Sequence, residues 1–385
     1  MAEVHGCCDP VFQSVRDLLQ QKLADGSEVG ASICVNIDGQ NVVDIWGGHV
    51  DANQRKRWEK DTITGVWSST KVVTCLAAHM LVDRGLLDME ENVATYWPEF
   101  GANGKENVKV SHLLSHSSGV PAWEGPITAA EMADVKRSTE RLAGQAPWYT
   151  PGSQSAYQMT NHGHLVGEVV RRISGKSLSR FIAEEIAKPL DVDFQLGLPE
   201  EDWSRTADII PFPPESMDKL DLDPTSILAR ALVGSIMIPD IPNEPGFRQA
   251  ENGAIGGFSN ARALARIGSI VSLDGSVDGR EYLAPQTLNA MMEEQNQGLD
   301  PVLFLYMRFA LGVALPSGKC MSCIPVDDRI CFWGGWGGSM VVMDRGRRMT
   351  PAYVMNKMEL RPLGSANAEA YIEEIYKSFD ASKDK

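Results

Sequence analysis

A serine hydroxyl and a lysine amine stand three residues apart in Ser68-Ser69-Thr70-Lys71. Residues i and i+3 share a helix face, so the Lys71 amine can reach the Ser68 oxygen if a helix begins here. The pattern predicts one. Thr62 to Trp67 is short, β-leaning and neutral; Val72, Leu76 and Met80 then recur on one face up to Asp83-Arg84-Gly85, with Leu86 and Leu87 beyond. An unactivated serine is a poor nucleophile, and a lysine that has given up its charge can serve as its base. Burial and the positive end of a helix dipole both push a lysine pKa down. Ser69 lies only two residues from Lys71 and projects from another face. The same spacing recurs at Ser216–Lys219 and Ser382–Lys385. The first follows Pro211, Pro213 and Pro214 without helical period, and the second lies in a charged tail, so both read as chance.

The elements around this pair suggest a sheet built from both ends of the chain. Asp9 to Ala24 reads as an amphipathic helix, with Val11, Phe12, Val15, Leu18 and Leu19 on one side. Two β-like runs, Ala31–Ile37 and Val42–Trp46, flank Asp38-Gly39, a strong hairpin signal. From Asp88 to about Ala250 helices and loops dominate, with helices near Gly163–Ile173 and Ser179–Ala187. Residues 211–245 hold seven of the 21 prolines. An irregular stretch that long within a compact domain suits a lid or pocket wall. Strand-like segments return at Arg308–Val313, Arg329–Phe332, Met340–Met343 and Ala352–Met355, before a last helix over Ala366–Phe379. This order describes an α/β sandwich.

Bulk composition excludes other classes. At 385 residues, with 43% hydrophobic and 23% charged residues, the chain can bury a substantial core. A net charge of −15 opposes binding to nucleic acid or anionic lipid. No apolar run reaches the ~18 residues of a membrane span; the best, Ile227 to Ile238, contains Arg230 and ends at Pro239. Met1 to His5 lacks the basic and apolar regions of a signal peptide, and Ser382 to Lys385 is no targeting signal, so a cytoplasmic location is expected. The seven cysteines, an odd number, then read as reduced thiols. Cys320-Met321-Ser322-Cys323 lacks the second pair that a structural zinc needs, and His112 and His116 have i, i+4 spacing without a third ligand. Neither a metal nor a cofactor is expected.

Two further motifs occur in a familiar order with Ser68–Lys71. They are Leu113-Leu114-Ser115-His116-Ser117-Ser118-Gly119-Val120 and Gly256-Gly257-Phe258-Ser259 before a helix. The set resembles the serine β-lactamase-related superfamily: class C β-lactamases, D-Ala-D-Ala peptidases, family VIII carboxylesterases and related acyltransferases. The likeness spans roughly residues 25–375. It implies a β-lactamase/transpeptidase-like fold, an antiparallel sheet flanked by helices plus a mainly helical subdomain. Residues 1–385 would then form one catalytic domain, its α/β part from 1–87 and 251–385 and its helical part from 88–250.

The resemblance also assigns roles. The family's Tyr-x-Asn element matches Tyr157-Gln158-Met159, with Met159 in place of the asparagine. Its third element, often Lys-Thr-Gly, is filled by Trp333-Gly334-Gly335-Trp336, which is similar to esterases and transacylases of the family. A lysine there could pair with a substrate carboxylate and a tryptophan cannot; Met159 likewise removes an amide. The implied reaction is attack by Ser68 on an uncharged ester with a hydrophobic acyl group, giving an acyl-enzyme. Lys71 and Tyr157 share the proton work, and which is the base stays open. A nearby Lys71 charge would lower the Tyr157 pKa. Backbone N–H groups of Ser68 and Trp336 would form the oxyanion hole, with Gly334 and Gly335 allowing close approach; Trp333 and Met159 join the substrate side. Water as acceptor makes an esterase, an alcohol or amine makes an acyltransferase, and a dead ligand-binding relative is the non-enzyme alternative. The expected partner is a small-molecule ester, with no nucleic acid and no membrane; oligomeric state stays open. The bland reading places Lys71 on a solvated face, Tyr157 as a satisfied core tyrosine, and Trp333 and Trp336 as core aromatics. A Ser-His-Asp hydrolase of the α/β type would need Gly-x-Ser-x-Gly, which the chain lacks.

Overall fold

The computed structural model describes residues 3–213 and 222–383. Ser216–Lys219 and the Lys385 end of Ser382–Lys385 lie outside the described residues. Six antiparallel strands form the main sheet in the order β1-β3-β2-β6-β5-β4. They are β1 (Val4–Cys8), β2 (Gly30–Ile37), β3 (Gln40–Gly48), β4 (Ile330–Gly334), β5 (Met340–Asp344) and β6 (Met349–Met355). The sheet does come from both chain ends. Asp38 and Gly39 both take positive φ, 50° and 85°, in the tight turn that joins β2 to β3. The β1 edge strand was not expected, because Val4-His5-Gly6-Cys7-Cys8 shows no clear apolar alternation.

Helices cover both faces of this sheet. Successive strand residues point to opposite sides. Thr350 of β6 meets α4 (Ala261–Ser272) through a 2.7 Å contact to Ser272 Oγ. Tyr353, of opposite parity, packs against Tyr371 of α5 (Ala366–Lys383) with tilted rings, centroids 5.0 Å apart. α1 (Gln13–Asp25) lies beside α5 and is preceded by a 3-10 turn at Pro10–Phe12. The expected Arg308–Val313 strand is instead Tyr306–Phe309, paired with Asn296–Leu299, and Gly312 turns the chain at φ 94°.

At the centre runs α2 (Thr70–Asp83), packed on α3 (His162–Ser174). Its apolar stripe suggested an amphipathic helix, yet every residue from Thr70 to Leu81 is buried. The stripe was real, but small residues such as Ala77 and Ala78 let neighbours close over the other faces. A small three-stranded sheet, Thr64–Gly65, Gly257–Ser259 and Phe194–Leu196, clamps the approach to α2. Its third strand comes from inside the helix-rich stretch.

One buried carboxyl ties the sheet to α5. Glu28 is 2% exposed, accepts from the Tyr353 and Tyr371 hydroxyls, and keeps Oε2 without a partner. Burial, opposed by those hydrogen bonds, pushes its pKa up to about 7 from 4.5. The folded state therefore holds this proton more tightly than the unfolded chain. Stability is full below about pH 4.5 and falls as pH rises to about 7, by on the order of 3 kcal/mol. Glu28→Gln carries no such ionisation. Thermal melts at pH 5 and pH 8 are expected to show the variant gaining a few degrees on the parent at pH 8 and little at pH 5. Parallel pH dependence in both proteins would refute this account.

Candidate active site

Ser68, the candidate nucleophile, sits on a sharp turn between the small sheet and α2. Val66 N–H donates to the Gly257 carbonyl at 2.9 Å. Trp67 then takes φ +49°. That left-handed conformation costs a bulky residue roughly 1–3 kcal/mol and persists where surroundings over-determine it. Here the Trp67 ring meets Trp336 edge-on at 5.1 Å, and its carbonyl accepts from Thr70 Oγ1 at 2.6 Å. Thr70 Oγ1 in turn accepts from Gly257 N–H at 2.9 Å, and a side chain on Gly257 would collide with that oxygen. A single 3-10 turn, Trp67–Ser69, runs into α2 and brings Lys71 Nζ within 3.0 Å of Ser68 Oγ.

Lys71 is 1% exposed, with no carboxylate beside it among the described residues. Burial pushes its pKa well below the usual lysine range. Besides Ser68 Oγ, its Nζ meets the carbonyls of Met159 at 2.9 Å and Ala254 at 3.2 Å. Carbonyls can only accept. A neutral amine has two N–H bonds and one lone pair, so with both carbonyls served its lone pair faces Ser68.

Tyr157 completes the cluster, its hydroxyl donating to Ser68 Oγ at 2.8 Å. The motif Leu113–Val120 explains how it gets there. Ala156 N–H donates to the His116 carbonyl at 2.9 Å, and Gln158 Nε2 donates to Ser118 Oγ at 2.7 Å. His116 packs edge-on to the Tyr157 ring at 4.8 Å. It has left the helix, at φ 60°, whereas His112 is engaged by the Lys109 N–H, so the two imidazoles do not share a helical face. The expectation that a Lys71 charge lowers Tyr157 is overturned. Burial, only partly offset by the Ser68 hydrogen bond, holds the phenol above the usual tyrosine range. The same loss of water disfavours both charged forms, pushing the amine pKa down and the phenol pKa up.

The turn between β4 and β5 lies against Ser68. Ser339 Oγ bridges to Ser69 Oγ at 2.9 Å and to the Val66 carbonyl at 2.7 Å. Around this turn Gly335 N–H donates to Ser339 O and Gly337 N–H to Arg361 O. The N–H groups of Ser68 and Trp336 meet no acceptor among the described residues, and both residues line one cavity of about 240 Å³. Its wall is largely apolar and includes Leu228, Leu232, Met237, Ile255, Val302 and Leu303; Arg361 is its one charged member.

A model of the Beta-lactamase family matches residues 15–374. The chain belongs to the beta-lactamase family. Over 371 residues it is 32% identical to the esterase/beta-lactamase LipL of Mycobacterium tuberculosis, covering 94% of this chain and 84% of that protein. A solved family VIII carboxylesterase superposes with a TM-score of 0.91 at 32% identity, covering 98% of this chain and 100% of the other. A penicillin-binding protein homologue from Caulobacter crescentus gives 0.90 at 31% identity with the same coverage. The beta-lactamase/transpeptidase-like fold and kinship with esterase-type hydrolases follow from these likenesses.

Within this beta-lactamase-family frame, Ser68, Lys71, Tyr157, Met159 and Trp336 converge, and two expected residues stand back. Trp333 is 2% exposed, is absent from the cavity wall and packs behind Tyr157 at 5.5 Å, so it backs the phenol and does not face the substrate side. Gly335 likewise leaves the wall to its neighbour. A Cβ there would stand 2.6 Å from Val66 O and 3.0 Å from Trp67 Cβ, so only glycine lets the Trp336 amide come this close. Gly335→Ala is therefore expected to lower kcat about 10–100-fold with a small change in KM, approaching the loss of one oxyanion donor. A kcat within twofold of the parent would show that the amide of Trp336 is not needed.

The cavity wall escaped sequence reading in part. Residues 211–245 do supply it, but through an ordered helix, Ile227–Val233, capped by Ser226. The apolar run Ile227–Ile238 faces substrate space as well as core. Among the described residues no helix is long and apolar enough to cross a membrane, no group of three or more His, Cys, Asp or Glu is placed to hold a metal, and all seven cysteines are free.

Proposed function

We propose that this protein hydrolyses carboxylic esters with a hydrophobic acyl group through an acyl-enzyme on Ser68. The observation that carries the reading is the buried, carbonyl-flanked Lys71 amine 3.0 Å from a hydroxyl that also accepts from Tyr157. Lys71 removes the Ser68 proton as Oγ attacks the ester carbonyl. Negative charge develops on the carbonyl oxygen and is met by the N–H groups of Ser68 and Trp336. Tyr157 gives its proton to the departing alkoxide and regains one from Lys71 through water; the neutral Lys71 then takes a proton from the attacking water and hands it to the Ser68 oxygen as the acid departs. The alcohol leaves and water takes its place, so the sum is ester plus water to acid plus alcohol.

An apolar wall supports the choice of acyl group. Leu360 stands on it while 46% exposed, and Val233, Ile238 and Phe304, also exposed, each directly follow a wall residue. Burying one methylene there contributes about 0.8 kcal/mol, roughly fourfold in kcat/KM. Transfer of the acyl group to an alcohol uses the same residues, and product partition against a competing alcohol separates the two outcomes. β-Lactam turnover is a second reading, favoured by Arg361 on the wall as a cation for a substrate carboxylate, although its guanidinium already pairs with Glu369 at 3.0 Å. The deciding experiment is labelling with a fluorophosphonate followed by peptide mass spectrometry. One adduct on the Ser68 peptide is expected, together with loss of p-nitrophenyl butyrate hydrolysis. Labelling elsewhere, or full activity after labelling, would overturn the assignment.

A further inference from the structure

Asp300 is fully buried and forms no ion pair among the described residues. Its carboxyl group instead accepts backbone N–H groups from its own turn and from Tyr157, 143 residues away in sequence. Tyr157 N–H lies 3.0 Å from Oδ2 and 3.3 Å from Oδ1; Val302 and Leu303 N–H each lie 2.9 Å from Oδ1. Tyr157 carries the phenol on Ser68, and Val302 and Leu303 line the cavity. One carboxyl group thus holds the backbone behind the proton donor and the backbone behind the acyl wall. Burial raises its pKa and these N–H groups counter that, so removing an acceptor leaves buried donors unpaired.

We infer that Asp300 is a positioning residue that fixes the Tyr157 phenol and the Val302–Leu303 wall to a common point, coupling proton delivery to acyl-chain recognition. The inference rests on the Ser68 and Tyr157 roles proposed above. An aspartate that merely held the loop would, when replaced, depress turnover of all esters by one factor. The coupling has two separate signatures. A p-nitrophenolate leaves without a proton, whereas an ethoxide needs the one that Tyr157 delivers. A displaced wall also loses its preference for a longer chain.

Asp300→Ala removes both acceptor oxygens and leaves the Tyr157, Val302 and Leu303 N–H groups without them. Its kcat and KM are to be measured on p-nitrophenyl and ethyl esters of acetate and hexanoate, the ethyl esters by pH-stat. Turnover of ethyl esters is expected to fall at least about 50-fold, within the reach of one general acid, and that of p-nitrophenyl acetate less than about fivefold. The hexanoate-to-acetate ratio of kcat/KM should drop at least about fivefold, since each methylene of a well-placed chain contributes about fourfold. Far-UV circular dichroism and fluorophosphonate labelling of Ser68 check that the variant is folded. If it is not, Asp300→Ser, which retains one acceptor, should give the same pair of changes. One common factor for all four esters, or a change in only one signature, would overturn the coupling. Tyr157→Phe in the parent separates the failures: if it treats both leaving groups alike, the acid role of Tyr157 has failed, and the coupling through Asp300 fails with it.

Discussion

Ser68→Ala is expected to lower kcat/KM for p-nitrophenyl butyrate by at least about 10⁴-fold, because the bond-forming atom itself is removed and no neighbour can replace it. The Lys71 amine is held by the Met159 and Ala254 carbonyls, and the Tyr157 phenol is protonated; neither stands as a substitute nucleophile. Stability should change little, since Lys71 keeps the Met159 and Ala254 carbonyls and the Tyr157 phenol borders the cavity. Ser69→Ala supplies the contrast. Ser69 is fully buried and its Oγ bonds to Ser339, on the far side of the turn from Lys71. Its loss should cost about 1 kcal/mol in stability and less than tenfold in activity. Equal losses in the two variants, read by steady-state kinetics beside thermal melts, would mean that the turn matters and the Ser68 oxygen does not.

The contrast between adjacent serines also marks how far the sequence could be read. Ser68 and Lys71 were legible because their relation is local: three residues on a helix fix a direction without help from the rest of the chain. The β2–β3 hairpin was legible for the same reason, since Asp38-Gly39 dictates its own turn. Tyr157 is 89 residues from Ser68 and came only through the resemblance. The charge states of Lys71 and Tyr157 were not legible at all. Burial sets them, and burial is supplied by segments as distant as Ala254, so the simple Coulombic argument pointed the wrong way for Tyr157. Trp333 and Trp336 look equivalent in Trp-Gly-Gly-Trp, yet strand alternation ends at Gly334 and the turn sends the second indole to the cavity while the first stays behind the phenol. Asp300 carried no signal beyond an Asp-Pro turn, because most of its partners are backbone N–H groups that any sequence possesses.

Lys71→Met tests the charge assignment most directly. Methionine keeps the length and apolar character of the stem while removing the amine, so a folded protein with an intact Ser68 is expected. Loss of the general base should lower kcat/KM about 10²–10⁴-fold. The pH profile carries the sharper information. Protonated Lys71 cannot accept the Ser68 proton, so the rate of the parent should rise with pH through the Lys71 pKa, which lies well below the usual lysine range, and then level. No alkaline fall should follow in the accessible range, because the Tyr157 phenol is held above its usual value. The other groups facing the amine, Cys75, His116 and His162, are all held neutral by burial and add no limb of their own. In Lys71→Met the acid limb should vanish while the small residual rate follows hydroxide concentration. A limb that survives the substitution at the same pH would show that the titrating group is not this lysine, and the base would have to be sought among those imidazoles.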